Sequence, residues 1–353
     1  MKRKKTREVK VGSVGVGGNN PVRVQSMTNT DTRDAEKTLE QIAELALAGC
    51  ELVRVAVPDD KAALSLQTIL QSSPVPVIAD IHFDHRLALR AIETGIHGLR
   101  LNPGNIGDEK KVNRVVDAAK AASVPIRIGV NSGSVDKKIL RKHGGPTPEA
   151  MVESAMEHIH ILEQRNFDLI KVSLKSSSVL STIAAYELIA KRRDYPLHIG
   201  ITEAGTPMRG AVKSGVGLGI LLYQGMGDTL RVSLTGDPVD EMLVAWEILR
   251  SLSLRQRGPE IISCPTCGRT EIDLVSMAVA VEEKLKSVDK VFTVAVMGCV
   301  VNGPGEAREA DIGLAGGRDC GIIFKKGQIV RKVRGESLLP EFMKELDAYL
   351  GLT

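Results

Sequence analysis

The feature that most constrains the fold is a strand-like segment followed by a helix-like segment, repeated eight times from residue 21 to about residue 250. Each strand-like segment is a short run rich in β-branched residues, and a helical pattern follows it before the next strand begins. The predicted strands occupy residues 22–27, 52–57, 75–81, 98–102, 125–130, 169–174, 197–202 and 229–234. The predicted helices occupy residues 34–48, 60–71, 86–94, 109–121, 148–164, 178–192, 211–224 and 238–252.

Eight such units predict a (β/α)8 TIM barrel, a fold that typically takes about 250 residues. The alternative is a doubly wound open sheet, but the phosphate-binding pattern G-x-G-x-x-G that would support it is missing after the first strand. The glycine-rich segment 215–219 lies inside a helical pattern, so we assign it no role in nucleotide binding. Alternating residues at 9–24, divided by the turn 17–20, predict a hairpin that leads into the first strand.

Composition changes near residue 255, where the polar segment Arg255–Pro259 is typical of a linker. A smaller α+β region follows, with helices at 271–287 and 337–350, strands at 290–296 and 311–314, and a hairpin at 321–333. We therefore expect two domains: a substrate-binding barrel with its N-terminal hairpin at 1–255, and a second domain at 256–353, which is long enough to fold independently.

Polar residues interrupt the predicted barrel strands, often two apart near the C-terminal end of a strand. A period of two keeps such a pair on one side of its strand. If that side faces the barrel axis, the pairs converge at the C-terminal mouth, where barrel enzymes place their active sites. The candidate residues are Arg54, Asp80, His82, Arg100, Asn102, Arg127, Asn131, Lys171, Ser173, Glu203, Arg231 and Ser233. Ser26 and Thr28 either line the same mouth or belong to a turn.

Five of these candidates are cations on five different strands, against the single strand carboxylate Asp80 and Glu203 at the rim. One cation could point outward and reach solvent between helices, but five doing so is a poor explanation. Buried unpaired charges are costly, so a cluster of them implies a bound anion. Arginine suits phosphate oxygens, and the sequence therefore predicts a polyanionic small molecule such as a diphosphate. His198 lies early in its strand and is interpreted as a core histidine.

A cysteine pattern dominates the second region: Cys264-Pro-Thr-Cys267, then Cys299, then Glu306 after the turn 302–305. Structural zinc takes four closed ligands, usually Cys or His, and no histidine lies downstream of His198. An iron–sulfur cluster held by three cysteines leaves one iron for an oxygen ligand or a substrate. The spacing of the cysteines favours an iron–sulfur cluster over zinc, and the geometry of the ligands in the folded protein decides between the two.

Several classes of function are disfavoured by composition. Aromatic residues make up only 3% of the chain, so base-stacking surfaces for nucleic acid are not expected. No apolar run reaches the roughly 18 residues of a membrane span. The five cysteines are an odd number, which argues against a disulfide framework. We expect a cytoplasmic protein in which Cys50 and Cys320 are structural.

The chain resembles the 4-hydroxy-3-methylbut-2-enyl diphosphate synthase family, the iron–sulfur enzymes of the methylerythritol phosphate route to isoprenoids. The resemblance covers essentially the whole chain and is to the two-domain bacterial form. The segments that carry it are Val24–Asn29, Ile78–His82, Leu99–Asn105, Gly200–Gly205, Cys264–Arg269 and Met297–Ala307. The last two segments are highly specific.

The resemblance implies one [4Fe-4S] cluster per chain, with Cys264, Cys267 and Cys299 as thiolate ligands and Glu306 on the fourth iron. A carboxylate is a harder and more displaceable ligand to a soft cluster than a thiolate, so substrate could take its iron. The implied reaction is the reductive ring opening and dehydroxylation of 2-C-methyl-D-erythritol 2,4-cyclodiphosphate to 4-hydroxy-3-methylbut-2-enyl diphosphate. Flavodoxin or ferredoxin would donate the electrons. The implied assembly is a homodimer in which each cluster domain caps the partner's barrel.

We hypothesise roles for the site residues on this basis. The residues that would hold the diphosphate are Arg54, Arg100, Arg127, Lys171 and Arg231, helped by Asn102, Asn131, Ser173 and Ser233. Asp80 would orient a cation or a substrate hydroxyl, and Glu203 would donate a proton to the departing oxygen. Two alternatives stay open: a non-redox phosphate-ligand barrel with a structural zinc domain, and a pterin-binding barrel.

Overall fold

A computed structural model describes residues 2–102, 106, 108–286, 288–299, 307–318 and 320–352. The chain divides into two compact units, Met1–Arg255 and Gln256–Thr353. Each unit has an apolar core of its own.

The first unit is built around eight parallel strands. They are β3 (Arg23–Met27), β4 (Leu52–Ala56), β5 (Val77–Asp80), β6 (Gly98–Leu101), β7 (Ile126–Asn131), β8 (Ile170–Lys175), β9 (His198–Ile199) and β10 (Thr229–Leu230). Their order is β8-β7-β6-β5-β4-β3-β10-β9. A parallel bridge between Val172 and Leu197 brings the two ends of this sheet together. The predicted (β/α)8 barrel is confirmed.

Helices follow the strands and cover the outside of the barrel. They are α1 (Ala35–Leu47), α2 (Asp60–Ser72), α3 (His85–Glu93), α4 (Glu109–Ala121), α5 (Lys137–His143), α6 (Pro148–Gln164), α7 (Val179–Arg192), α8 (Pro207–Tyr223) and α9 (Pro238–Ser251). Side-chain caps define many of their first turns, as where Asp59 accepts from the backbone N–H of Ala62. Helix α8 begins at Pro207, earlier than the predicted residue 211, because proline suits the first turn of a helix. The short helix α5 was not predicted.

The N-terminal hairpin closes the end of the barrel at which the strands begin. Strands β1 (Glu8–Val11) and β2 (Val14–Gly17) pair antiparallel. The predicted hairpin is present, but its turn lies at residues 12–13 and not at residues 17–20, which instead lead from β2 towards β3. Val11 and Val16 pack on Leu52 and Ile78 near the starts of β4 and β5. The opposite end, where Asp80, Asn131 and Lys175 end their strands, is the barrel mouth.

Strands β9 and β10 have two paired residues each, although the sequence predicted six. Beyond them, single backbone bonds continue the path, from Arg231 N to Ile199 O and from Thr202 N to Ser176 O. The chain therefore leaves the ladder early on this side, which frees residues 200–205 and 231–236 to form loops at the mouth.

The second unit is a five-stranded mixed sheet with helices. Its elements are β11 (Glu260–Ser263), α10 (Leu274–Leu285), β12 (Thr293–Met297), β13 (Ile312–Ala315), β14 (Cys320–Lys325), β15 (Gln328–Arg334) and α11 (Leu338–Leu350). The order is β11-β12-β13-β14-β15, with the first three parallel and the last two forming the predicted hairpin. Phe342 and Leu346 of α11 and Val281 of α10 pack on one face of this sheet. Strand β11 was not predicted; it ends directly before Cys264.

Candidate active site

Polar side chains of four adjacent strands form one continuous row inside the barrel. Asp80 of β5 is the register partner of Arg100 of β6, Arg100 is the partner of Arg127 of β7, and Arg127 is the partner of Lys171 of β8. Register partners in a parallel sheet point to the same face, and all four side chains are buried. Four of the sequence-predicted residues are therefore brought together by the sheet register alone.

Asp80 is the carboxylate at the centre of the cations. Its Oδ1 lies 3.1 Å from Arg100 Nη1, and its Oδ2 lies 3.6 Å from Arg54 Nε. His82 Nε2 lies 3.5 Å from Asp80 Oδ1 and 2.9 Å from Arg100 Nη1. Burial by itself raises the pKa of Asp80, but Arg54, His82 and Arg100 together outweigh it and hold the pKa far below its ordinary value. Asp80 is therefore ionised and offsets part of the positive charge around it.

Two of the cations, Arg127 and Lys171, have buried donor atoms without a partner in the described part of the chain. Arg127 and Lys171 are each only 2% exposed, and within the described residues Arg127 Nε and Nη2 and Lys171 Nζ have no hydrogen-bond partner. Burial lowers the pKa of Lys171 to about 7; Arg127 acts in the same direction and Asp228 opposes it. Burial, then Arg54 and Arg100, likewise lower the pKa of Arg127. Buried donors normally have partners, so this pair is suited to binding an anion.

Arg231 joins the group from the loop after β10. Its Nη1 lies 3.8 Å from Met27 Sδ, which also lies 2.9 Å from Arg54 Nη2. Its Nη2 lies 3.6 Å from Oε1 of Glu241, a buried residue of α9 that also accepts from the backbone N–H of Leu234 at 3.0 Å. Burial raises the pKa of Glu241, and Arg231 opposes that rise. Glu241 thus fastens both Arg231 and its loop to the barrel wall.

The remaining predicted strand-end residues are buried close by. Asn102 lies directly after β6, and Ser173 lies within β8; both are buried. Ser26 Oγ lies 3.4 Å from the α9 glutamate carboxylate, so it faces the helix layer rather than the mouth. Thr28 is buried, and its hydroxyl has no partner within the described part of the chain.

A cavity of about 490 Å³ opens at the rim of the mouth. It is lined by Asn131, Ser132, Gly133, Ser134, Thr202, Glu203 and Ser233. This volume is within the range of small-molecule sites. Glu203 is exposed and has a φ of 52°, in the left-handed region that residues with side chains seldom adopt. Such backbone conformations cluster at functional sites, and three of the predicted residues line this one cavity.

Lys175 and His198 add a further buried pair at the mouth. Lys175 is the last residue of β8, and its Nζ lies 3.2 Å from His198 Nε2. Burial lowers the pKa of Lys175 well below its ordinary value, and Arg127 and Arg231 act in the same direction. A sixth buried or half-buried cation therefore faces the same space as the five that the sequence identified.

The three predicted cysteine ligands lie on two loops of the second unit that contact each other. Cys264 follows β11 and Cys299 follows the adjacent parallel strand β12. The backbone N–H of Gly298 donates to Cys264 Sγ at 3.2 Å. Cys264 is half-buried, Cys267 is exposed and Cys299 is buried. Backbone and side-chain hydrogen bonds from Arg269 lower the pKa of Cys267, which favours its thiolate.

The fourth predicted ligand, Glu306, and the turn at 302–305 lie outside the described residues. Among the residues that are described, no group of three or more His, Cys, Asp or Glu side chains is arranged to hold a metal ion. Cys50 is buried and donates to the carbonyl of Leu52, and burial raises its thiol pKa to about 12. Cys320 is exposed at the start of β14.

Comparison with known proteins matches both units to one family. Residues 6–246 match the GcpE TIM-barrel domain, and residues 260–348 match the GcpE protein C-terminal domain. The chain belongs to the GcpE family. The resemblance inferred from the sequence motifs is confirmed, because relatives of this GcpE chain carry the corresponding enzyme name.

Three such relatives are each named 4-hydroxy-3-methylbut-2-en-1-yl diphosphate synthase (flavodoxin). The protein from Maridesulfovibrio salexigens is 69% identical, over 99% of this chain and 98% of its own. The protein from Nitratidesulfovibrio vulgaris is 65% identical, over 99% and 91%. The protein from Geobacter sulfurreducens is 61% identical, over 98% and 98%.

A solved structure supports the fold of the GcpE chain. N-acetylneuraminic acid synthetase from Leptospira borgpetersenii superimposes with a TM-score of 0.50 at 11% identity, over 80% of this chain and 98% of the other. An identity this low carries the fold and nothing more. No helix in the described ranges is both long and apolar enough to cross a bilayer.

Two residues of this site were missed in the sequence. Lys175 keeps step with Lys171 and Ser173 at intervals of two, but the predicted strand ended at residue 174, one residue too early. The two-residue spacing of polar residues along β8 could therefore have identified Lys175. Glu241 lies in the first turn of α9 and looks like any acidic residue near a helix N-terminus, so no sequence signal pointed to its contact with Arg231.

Proposed function

We propose that this GcpE-family chain is a 4-hydroxy-3-methylbut-2-en-1-yl diphosphate synthase. In this reaction the ring of 2-C-methyl-D-erythritol 2,4-cyclodiphosphate is opened reductively and a hydroxyl group is lost. The names of the relatives support the reaction. The class of substrate is inferred from the fold. Arg127 and Lys171 are buried cations with donors that are unpaired among the described residues, and further cations lie at the mouth above them, as a diphosphate site requires.

Binding of the diphosphate is the first task of the mouth. Arg127 and Lys171 would supply unpaired donors, while Arg54, Arg100 and Arg231 would add charge. The supporting residues are Asn102, Asn131, Ser173, Lys175 and Ser233. Arginine forks pair with phosphate oxygens through two parallel hydrogen bonds, and burial strengthens each of these contacts. Asp80 would hold Arg54 and Arg100 apart and in place, at 3.6 and 3.1 Å.

The cysteine loops would hold the redox group of the second unit. Cys264, Cys267 and Cys299 fit an iron–sulfur cluster because they supply thiolates from two touching loops, and Cys264 already accepts an N–H···S hydrogen bond. Glu306 would be the exchangeable fourth ligand. The chemistry that a bound [4Fe-4S] cluster supplies is delivery of the two electrons of the ring opening, one at a time.

Glu203 would be the proton donor to the departing oxygen. Its side chain is exposed and borders the cavity at the mouth, together with Thr202 and Ser233. A left-handed backbone at this position directs the side chain differently from a normal loop residue. A carboxylic acid in reach of a leaving hydroxyl lowers the barrier for its departure as water.

The proposed partners are a flavodoxin or ferredoxin as electron donor and a second copy of the chain. Helix α8 supports the homodimer, since one face of it carries an exposed apolar stripe. The stripe consists of Met208, Val212, Val216, Ile220 and Tyr223. Residues three and four apart share a helix face, and apolar stripes of this kind mark protein interfaces. The same stripe on a second copy makes a self-complementary twofold contact. We propose a cytoplasmic location.

Anaerobic purification and reconstitution test the proposed function. The full chain should bind four iron and four sulfide per chain, absorb broadly in the visible, and convert the cyclodiphosphate when reduced flavodoxin is supplied. Cys299→Ala should lose iron, whereas Cys50→Ala should keep it because Cys50 lies in the barrel core. Colourless protein with one zinc per chain and no turnover would contradict the proposal. Mixing Arg100→Ala with Cys299→Ala should restore part of the activity if sites are shared between chains.

A further inference from the structure

We propose that His198 is a positioning residue that acts through Lys175, by accepting a hydrogen bond from the lysine ammonium group at the barrel mouth. The hydrogen-bond arrangement rests on the structure alone. The consequence for substrate binding rests on the proposed function, in which Lys175 contributes to the grip on the diphosphate.

The contact between the two side chains is the starting point. Lys175 is 6% exposed and His198 is fully buried. Lys175 Nζ lies 3.2 Å from His198 Nε2. Within the described part of the chain, Lys175 forms no salt bridge with a carboxylate. The imidazole nitrogen is thus the protein group that fixes the direction of the ammonium.

The hydrogen bonds determine which nitrogen of His198 carries the hydrogen. The anion proposed to bind at the mouth favours the ammonium form of Lys175 against the effect of burial on its pKa. An ammonium group only donates, so Nε2 must accept. The other nitrogen, Nδ1, lies 2.7 Å from Thr229 Oγ1. Nδ1 therefore carries the hydrogen and donates it to the hydroxyl of Thr229. The two contacts together fix both the tautomer and the ring orientation, as partner groups do for functional histidines generally.

The backbone around the pair is fastened by a buried tyrosine. Tyr186 Oη donates to the carbonyl of His198 at 2.5 Å and accepts from the N–H of Leu174 at 3.1 Å. The Tyr186 hydroxyl thus links His198 in β9 to Leu174 in β8, and Leu174 directly precedes Lys175. The distance between the two interacting side chains is set by this bridge.

Glycine at position 200 makes room for the lysine. A Cβ atom there would lie 2.6 Å from Lys175 Nζ and 2.8 Å from the carbonyl oxygen of Arg231. Neither distance is compatible with normal packing, and the carbonyl belongs to the backbone. The lysine side chain therefore passes between the bare backbone of Gly200 and the ring of His198.

Electrostatics keep His198 in the form that accepts a hydrogen bond. Burial lowers its pKa far below the ordinary value, and the surrounding cations add to that effect. The largest contributions from charged groups to this shift come from Lys175, Arg127, Lys171 and Arg54, all positive. An imidazolium ion could not accept from Lys175 and would add another uncompensated charge. His198 thus remains neutral, and the polar chain Thr229–His198–Lys175 carries a single charge at its open end.

A double-mutant cycle tests the proposal on the cluster-loaded full chain. His198→Leu removes the acceptor at similar volume, and we expect cyclodiphosphate affinity, measured calorimetrically, to fall about tenfold to a hundredfold, the worth of one charge-assisted hydrogen bond. Lys175→Met should cost at least as much. The double variant should be no weaker than Lys175→Met alone, because His198 acts only through Lys175. His198→Gln, which retains an acceptor oxygen, should recover most of the affinity.

A buried histidine that does not contact the site provides the control. His158 of α6 is 9% exposed, and its Nδ1 has no partner among the described residues. His158→Leu should leave the affinity within about twofold if the effect at His198 is specific. An unchanged affinity in His198→Leu, or losses that add in the double variant, would overturn the proposal.

Nuclear magnetic resonance of ¹⁵N-histidine-labelled protein tests the arrangement without substrate. The signal lost in His198→Gln should show a protonated Nδ1 and an unprotonated Nε2 throughout pH 5.5–8. A ring that titrates in that range, or that carries its hydrogen on Nε2, refutes the proposal even if turnover is normal. If the wild-type chain binds no cyclodiphosphate, the proposed function fails. The double-mutant cycle of His198 and Lys175 is then repeated with inorganic pyrophosphate as the ligand, and it decides the role of His198. If His198→Leu does not fold, Thr229→Val replaces it and should shift the same signal.

Discussion

Replacing Lys171 by methionine should stabilise the barrel while weakening its hold on substrate. Lys171 is fully buried beside Arg127 and has no hydrogen-bond partner within the described residues. Its charge costs free energy in the folded state and is retained, on our interpretation, because an anion binds there. Methionine has a similar length and no charge, and replacing buried ionic groups by apolar ones of similar volume is often stabilising.

The magnitude follows from the pKa of Lys171, which burial lowers from 10.5 to about 7. A difference of roughly three and a half pKa units corresponds to about 5 kcal/mol at pH 7 as an upper bound. Between pH 7 and 10.5 the unfolded chain holds a proton that the folded chain has released, so wild-type stability rises with pH across this window. Below pH 7 the cost is present in full. The gain from Lys171→Met should therefore be largest at and below pH 7 and shrink towards pH 10.5.

The single tryptophan of the chain provides the assay. Trp246 is buried in α9, so its fluorescence reports unfolding of the barrel unit. A gain of 2–4 kcal/mol should raise the melting temperature by about 5–15 °C at pH 7, and by much less at pH 10. Lys110→Met, at an exposed position in α4, is the matched control and should change little. A lowered melting temperature, or a gain that does not depend on pH, would refute the reasoning that Lys171 is an uncompensated buried cation.

Three further predictions follow from the same geometry. Asp80→Asn should destabilise the barrel by about 3–5 kcal/mol, because Arg54 and Arg100 lose their buried partner. The control Asp60→Asn, at an exposed position, should cost less than about 1 kcal/mol. Equal melting curves for the two variants would contradict this prediction. Glu203→Gln should leave cyclodiphosphate affinity nearly intact while turnover falls by about 10²–10⁴-fold, and normal turnover would exclude it as the acid. Val216→Lys on α8 should convert the proposed homodimer to monomer in sedimentation, and a dimer that persists would place the interface elsewhere.

Much of the barrel could be predicted because its pattern is local. The strand–helix alternation follows from runs of apolar residues, and the period of two along each strand shows which side chains share a face. Arg54, Asp80, Arg100, Arg127 and Lys171 were found in this way. The cysteine spacing was equally local, and the family motifs were confirmed by the match of both domains.

Only the tertiary structure decides which of the inward-facing charges has a partner. A period of two gives the side of a strand but not the depth of a side chain or its neighbours on other strands. Arg100 reaches Asp80, 20 residues away, while Arg127, the next residue in the same row, reaches no carboxylate among the described residues. Glu241 contacts Ser26 across 215 residues of sequence, through a helix layer that no local pattern can place.

The sequence by itself thus determined the barrel, the row of basic residues and the cysteine loops, because these depend on periodicity and spacing along one chain. The tertiary structure determined that Arg127 and Lys171 have buried donors without a partner among the described residues, that the core residue His198 is a hydrogen-bond partner of Lys175, and that Gly200 leaves room for that lysine. These are facts about distances between strands that the sheet register sets. The electrostatics of a buried site depend on such distances, because charges interact strongly when water is excluded.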